Sequence, residues 1–274
     1  MKNKSIGITG IIIVSLIVLM AIFSTALAPY DPHFIAGAPF QRPSSAHILG
    51  TNDIGQDIFS ELLVGARYSL LVGFLAMCIS SILGIFFGVI AGWYGGAVDS
   101  VLMRITTFVQ IIPYLPLVII LSTLMSGGAI SVAVVMGVSS WPGMARVLRA
   151  QTIKIKKSEY ITTNTAMGAG SFYLLTRHVF RELMPLITYR VIDRYKRAII
   201  AESTLSFLGL AASTTKSWGA MLYYAQAKSA FLTSAWIWWV IPPGIMISLL
   251  SFGFMLIGYS IEGKMDPRLD GETV

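Results

Sequence analysis

Long runs of residues without Asp, Glu, Lys or Arg dominate this chain, and short polar segments separate them. A membrane-spanning helix needs about 20 mostly apolar residues. Five windows meet this requirement: residues 6–28, 68–93, 105–125, 129–146 and 236–260. The third and fourth belong to one uncharged run, which we divide at Ser126-Gly127-Gly128 because paired glycines mark turns. The pattern therefore predicts an all-α, polytopic membrane protein.

A sixth span is predicted at residues 198–212, but its start is ambiguous because the window is short and contains Glu202. Four charged residues precede it on one helix face, at spacings i, i+3, i+4 and i+7: Arg190, Asp193, Arg194 and Arg197. Together with Glu202 they are the candidate pathway residues, since charges at membrane depth usually face a cavity and each other. One interpretation is a basic stripe along the inner half of a transport pathway, which favours an anionic or carboxylate-bearing substrate. The other, which we prefer, is a helix that begins late, with these side chains at the membrane interface.

Composition agrees with a membrane protein. Of the 274 residues 55% are hydrophobic and 12% are charged, and the mean hydropathy is +0.74. A soluble protein would leave too much of this apolar surface in water, which excludes a soluble enzyme or a DNA-binding domain. The net charge of +7 fits basic cytoplasmic loops better than nucleic-acid binding. Six spans with both termini in the cytoplasm place 16 of the 20 Lys and Arg residues inside.

Several smaller features carry local expectations. The N-terminus resembles a signal peptide, but its apolar run exceeds the usual length of about 7–15 residues, so we expect an uncleaved first helix. Pro113 and Pro116 should kink the third span. The three tryptophans of residues 236–239 should form an interfacial belt. Cys78 is the single cysteine, which excludes an intrachain disulfide and a Cys/His metal cluster, and His33 and His47 are expected to be isolated on the outer side.

The largest polar segment on the inner side covers residues 149–185. Ser158 is a suitable N-cap for a helix over residues 159–167, and Gly168 suits a left-handed position after it. A second helix is predicted from residue 169 or 170 to Phe180, with Phe172, Leu175 and Val179 on one face. A loop of this size with apolar positions on both helices more often docks a partner than lies alone on the membrane surface.

Four stretches, in order, carry a resemblance to a known family. Residues 47–60, HILGTNDIGQDIFS, resemble a segment of the pattern HxLGTDxxGRDxxSR. Residues 159–169 followed by Arg177-His178 resemble a permease coupling motif. LSFLGL at residues 205–210 with SWGAML at 217–222, and MDPRL at 265–269, match an outer segment and a C-terminal tail. In this order and spacing the chain resembles the "C" permease subunit of bacterial ABC importers of the peptide and nickel type.

The resemblance implies a type I importer fold with six transmembrane helices in the cell membrane. Residues 1–67 would form the first helix and an outer segment, residues 68–262 the transmembrane domain with its coupling loop 149–185, and residues 263–274 a cytoplasmic tail. The implied partners are two ABC ATPase subunits, a second homologous permease, an extracytoplasmic substrate-binding protein and membrane lipid, with no nucleic acid. The chain lacks GxxxxGK[ST], so we expect no cofactor on it and ATP-Mg on the partner ATPases. It would be a pathway-forming subunit, not an enzyme, for short peptides or nickel chelates.

The resemblance also assigns ATPase coupling to residues of the predicted loop helix, which are Glu159, Tyr160, Thr162, Thr163, Asn164, Ala166, Met167 and Gly168. This chain has Thr162-Thr163-Asn164 where the family usually has Glu-Ala-Ala, and Phe180-Arg181 where it has Leu-Pro. Arg177 and His178 are expected to anchor the loop at the membrane. The alternative class is a stand-alone secondary transporter or channel, but the two halves of the chain show no internal repeat.

Overall fold

The computed structural model describes residues 2–124, 128–210 and 215–265, which form helices and connecting loops without a β-strand. In chain order the α-helices are α1 (Lys2–Ile22), α2 (Ser24–Leu27), α3 (Ile58–Tyr94), α4 (Gly96–Ile111), α5 (Tyr114–Leu124), α6 (Ala129–Ser140), α7 (Pro142–Lys156), α8 (Glu159–Ala166), α9 (Ser171–Leu174), α10 (Phe180–Phe207), α11 (Trp218–Ala227), α12 (Trp236–Trp239) and α13 (Ile241–Met265). A π-helical turn, Leu175–Val179, joins α9 to α10. Residues 126–127 of the predicted break and residues 266–274 of the predicted tail lie outside the described residues.

Three helical stretches are long and apolar enough to cross a membrane: Ser5–Ile22, Ile58–Tyr94 and Trp236–Glu262. Two bent pairs add one span each if each pair crosses as a unit, namely α4 with α5, which meet at 84°, and α6 with α7, which meet at 40°. Three to five candidate spans among the described residues confirm an all-α polytopic membrane protein. A total of six depends on α10, which is too highly charged to pass this test, and stays a prediction.

Helix α10 begins well before residue 198, so the late helix start is wrong, whereas the membrane depth of residues 190–197 stays a prediction. It runs without interruption from Phe180 to Phe207, with Pro185 inside it, so residues 190–197 occupy its centre. The second loop helix is also not separate, because α9 leads through the π-helical turn into α10. The helix continues from the loop into the bundle because one apolar stripe is buried along both parts. The stripe has four-residue spacing and consists of Val179, Leu183 and Ile187.

Helix α3 is the central element of the fold. Its 37 residues extend about 55 Å at 1.5 Å per residue. It begins ten residues before the predicted span because Asp57 caps it, with Oδ2 accepting a hydrogen bond from the Ser60 amide at 2.8 Å. It ends at Gly95, whose φ of +70° favours glycine.

A glycine stripe on α3, formed by Gly84, Gly88 and Gly92, brings α7 close to its backbone. A Cβ added at Gly88 would stand 2.5 Å from the carbonyl oxygen of Ala145, and one at Gly92 would stand 2.7 Å from that of Arg149. Small residues permit such approach, and close packing drives helix association where lipid replaces water. The stripe therefore fixes α7 against the central helix.

The break between α4 and α5 is much sharper than the predicted kink. Ile112 is extended, with ψ at 124°, and Pro113 follows it without an amide hydrogen to donate. The resulting 84° bend separates the end of α4 from α5. Interrupted backbone is tolerated at membrane depth where it lines a cavity, and the bend does border one.

The predicted tryptophan belt is wrong in its main part. Trp238 and Trp239 are buried in a cluster with Trp218, Ile58 and other apolar side chains, and only Trp236 is 40% exposed. These indoles fill the junction of α3, α11 and α13 and do not line the membrane surface.

We expect Gly88→Ala to destabilise the fold, because the new methyl group would force α7 away from α3. Overpacking of this kind costs about 1–3 kcal/mol. The apparent Tm of the detergent-purified protein should fall by several degrees. Gly244→Ala is the matched control, since its Cβ would meet open space. Equal Tm values for the two variants would contradict the role of the stripe.

Candidate functional site

A cavity of about 470 Å³ lies between α3, the α4–α5 bend, the α6–α7 junction and α10. Its walls carry small and polar side chains, among them Ser80, Gln110, Tyr114, Ser139 and Ser140. Pro142 and Gly143 at the start of α7 close one side, and Arg194 and Arg197 of α10 also line it. Cavities of about 300–1,000 Å³ with a few placed polar groups are typical small-molecule sites.

The five candidate pathway residues separate into distinct surroundings. Arg194 and Arg197 line the cavity, whereas Arg190 lies over the ring of Tyr189 at 5.6 Å. Asp193 accepts from Arg197 Nε at 2.8 Å and pairs with Lys196 Nζ at 3.1 Å. Two basic residues of the predicted stripe thus reach the cavity, and the structure places Arg190 and Asp193 outside its lining.

Glu202 is fully buried near the C-terminal end of α10 and does not line the cavity. Its carboxylate accepts hydrogen bonds from Ser206 Oγ at 2.7 Å and from Ser203 Oγ at 3.4 Å. The hydroxyl groups of Ser69 on α3 and of Ser217, the N-cap of α11, also lie close to this carboxylate. Glu202 therefore joins α10 to α3 and α11 through hydroxyl groups, a role that the hydropathy pattern did not indicate.

A polar cluster joins Lys216 to the segment of residues 52–61. Lys216 Nζ lies 2.5 Å from Glu61 Oε1 and 2.6 Å from Gln56 Oε1, and the Asn52 amide donates to both of these oxygens. The Glu61 side chain is 3% exposed. Sequence analysis missed this ion pair, although an acid in the first turn of an otherwise apolar helix is its one visible signal.

His47 is not isolated, contrary to expectation. Its Nδ1 lies 2.9 Å from Asp57 Oδ1, and both side chains are buried. Its ring lies 5.1 Å from that of Tyr30. Asp57 is also the N-cap of α3, so the histidine of the first motif supports the start of the central helix.

The coupling loop has a buried base and an exposed apolar face. Ile161, Leu174 and Val179 are buried in a cluster with Trp93 of α3 and Leu148 of α7. The exposed face is formed by Met167, Phe172 and Tyr173, with exposed fractions of 82%, 81% and 52%. Phe172 therefore does not share a buried face with Val179, because the π-helical turn between them shifts the helical register.

Within the loop, Glu159–Ala166 is helical as predicted, and Gly168 has a φ of +89°. Glu159, Thr162, Thr163 and Ala166 are exposed. Two polar replacements bond back to their own helix, since Thr162 Oγ1 donates to the Glu159 carbonyl at 2.9 Å and Asn164 Nδ2 to that of Tyr160 at 2.6 Å. These side chains satisfy local backbone groups and leave the apolar face unchanged.

Tyr160 connects α8 to α10, because its hydroxyl donates a hydrogen bond to the Glu182 carboxylate. Burial and this hydrogen bond raise the pKa of Tyr160 above its ordinary value, so the hydroxyl stays protonated at neutral pH. His178 lies between the rings of Tyr160 and Tyr173, at 5.9 and 5.5 Å.

Comparison with known proteins assigns the family. Residues 84–270 match the family described as binding-protein-dependent transport system inner membrane component. The dipeptide transport system permease of Bacillus subtilis is 33% identical over 271 residues, which cover 98% of this chain and 84% of the relative. The chain belongs to this family of ABC importer permeases.

Two further relatives are permeases of an oligopeptide and a glutathione transport system. The Bacillus subtilis oligopeptide transport system permease is 33% identical over 270 residues, or 98% of this chain and 87% of the relative. The glutathione transport system permease of Pectobacterium atrosepticum is 32% identical over 270 residues, or 97% and 88%. The resemblance that the motifs indicated is confirmed. The alternative of a stand-alone channel or secondary transporter finds no support in these relatives.

For the polar cluster around Glu61, we expect Lys216→Met to destabilise the contact between Lys216 and the start of α3. It leaves the Glu61 carboxylate buried without its cation, a change that costs about 3–5 kcal/mol in buried pairs. The apparent Tm should fall, and Glu61→Gln in the same chain should restore part of it.

Lys228→Met is the control for this prediction. Lys228 pairs with Asp53 at 3.2 Å, but its side chain is 51% exposed. Surface pairs contribute about 0–1 kcal/mol, so this variant should retain the wild-type Tm. An equal loss in both variants would show that the Lys216–Glu61 pair is not the stabilising contact.

Proposed function

We propose that this permease lines the substrate pathway of an ATP-driven importer and transmits movement of partner ATPases through its coupling loop. The observation that supports this most is the continuity between cavity and loop. Pro142 and Gly143 line the cavity at one end of α7, and Lys156 at its other end lies three residues before α8 begins at Glu159. Movement of the loop can therefore reach the cavity through one helix.

The contacts of α7 support its action as a rigid lever. Arg149 donates through Nε and Nη2 to the two carboxylate oxygens of Asp99, both at 2.5 Å, which ties α7 to α4. Lys156 Nζ donates to the Trp93 carbonyl at the end of α3. Coupled helices of this kind transmit domain motion as packed units.

The proposed partner for the exposed loop face is an ABC ATPase. A short amphipathic helix with apolar anchors fits helix-in-groove recognition. Glu159, Tyr160, Thr162, Thr163, Asn164, Ala166, Met167 and Gly168 would form the docking segment. The complete importer would contain two ATPases, a second homologous permease and a substrate-binding protein that meets the outer segments at residues 31–67 and 206–235. ATP-Mg would be bound by the ATPases, with no cofactor on this chain and both of its termini in the cytoplasm.

The proposed substrates are short peptides. The relatives are named for dipeptide, oligopeptide and glutathione transport, and a cavity of about 470 Å³ suits ligands of that size. Nickel chelates are the second class.

The direct test is purification of the tagged chain from its native membrane in mild detergent, with mass spectrometry of the proteins retained. We expect two ATPase subunits and a sister permease. Reproducible recovery of the folded chain alone would overturn the proposed assembly, because the coupling loop would then have no partner.

Gly168→Ala should weaken ATPase retention about tenfold, because left-handed backbone costs about 1–2 kcal/mol for a residue with a Cβ. Binding of purified ATPase to the immobilised permease measures the effect. Gly170→Ala is the matched control, since Gly170 has a φ of −68° and both glycines have open space around them. If Gly168→Ala retains the ATPase as well as the wild type does, the left-handed turn at Gly168 is not required for docking.

A further inference from the structure

We infer that Arg194 and Arg197 form a subsite that binds a carboxylate group of the transported substrate. The inference rests on the proposed function, because it assigns a substrate class to the same cavity. Both side chains line that cavity, and both come from the centre of one helix.

In the six-span topology of the proposed function, Arg194 lies inside the membrane-spanning part of α10. It lies nine residues after Pro185, where the coupling loop ends, and 13 before Phe207, the end of α10, which is about 14 and 20 Å at 1.5 Å per residue. The hydrocarbon core of a bilayer is about 30 Å thick. A guanidinium near the middle of a spanning helix is costly unless it faces a water-filled cavity, a counter-ion or a substrate.

Asp193, the nearest acidic residue on α10, is already paired, so it does not neutralise the positive charge of Arg194 at the cavity. Asp193 engages Lys196 through Oδ1 and Arg197 Nε through Oδ2. Arg194 has no ion pair with a carboxylate in residues 2–124, 128–210 and 215–265. One carboxylate therefore faces two lysine or arginine partners, and Arg194 remains for an incoming anion.

Neutral hydrogen-bonding groups line the same cavity. They are the side chains of Tyr114, Gln110, Ser80 and Ser139. Arginine presents a planar set of donors that matches a carboxylate. A cavity that combines guanidinium groups with amide and hydroxyl groups suits a peptide with a free C-terminal carboxylate.

The first experiment measures uptake by proteoliposomes that contain the complete importer. The probes are a transported dipeptide and the same dipeptide with a C-terminal amide. In the double variant with Arg194→Gln and Arg197→Gln, uptake of the free acid should fall about tenfold or more, as expected for the loss of charge-assisted hydrogen bonds. Uptake of the C-terminal amide should change less than about threefold. The ratio of mutant to wild-type rates for each probe cancels any preference of the binding protein. Equal loss for both probes, or no loss for either, overturns the inference.

Matched variants separate charge at the subsite from charge on the helix. Lys196→Gln removes a positive charge from the same turn of α10, but its side chain lies outside the cavity lining, so both uptake rates should stay within about twofold of wild type. Arg194→Lys keeps the charge and should retain more free-acid uptake than Arg194→Gln. ATP-independent uptake by the wild type would refute the proposed function, whereas ATP-dependent uptake without probe selectivity would refute only the carboxylate subsite.

A second measurement does not depend on delivery by the binding protein or on folding of a variant. Phenylglyoxal labels accessible arginines, and mass spectrometry of the wild-type importer gives the labelled fraction of Arg194 and Arg197. Millimolar dipeptide should protect both residues, and its C-terminal amide should protect them less. Equal labelling with either probe and without a probe would contradict a carboxylate site.

Discussion

The close approach of α7 to the glycine stripe of α3 is the constraint on which the rest of the structure depends. Gly84 faces Met144, Gly88 faces Ala145 and Gly92 faces Thr152, so any added Cβ would meet the neighbouring helix. Apolar burial gives little preference between helix partners in lipid, and shape therefore decides which faces meet. With α7 held in this way, its first residues form a wall of the cavity and its last residues support the coupling loop.

The cavity and the loop are consequently parts of one mechanical unit. The bend after Ile112 opens the space, α10 supplies its arginines, and the stripe from Val179 to Ile187 carries α10 from the loop into the bundle. Polar contacts hold helices together at two places, which are the Arg149–Asp99 pair between α7 and α4 and the hydroxyl groups around Glu202 on α10. Under the proposed function, a force applied at the loop would change access to the cavity.

Hydropathy alone could predict the long apolar helices, because a continuous apolar run is visible in the sequence whatever helices pack against it. Motif order was sufficient for the family, and the Gly168 turn followed from local backbone preference. The start of α10 could not be predicted, since Arg190 to Arg197 resembles an interface until the cavity that receives Arg194 is known. Lys216 and Glu61 are 155 residues apart, and their pairing depends on how distant segments pack together. His47 and Asp57 belong to one motif, but their contact depends on how the loop between them folds. The π-helical turn at residues 175–179 likewise leaves no periodic signal of its own.

Transport by the reconstituted assembly tests the central claim most directly. The permease would be placed in liposomes with its sister permease and ATPases, and uptake of a labelled dipeptide would be measured with the binding protein present. The account predicts uptake that requires hydrolysable ATP and is abolished by omitting either the ATPases or the binding protein. Uptake by this chain alone, or uptake driven by an ion gradient without ATP, would contradict it.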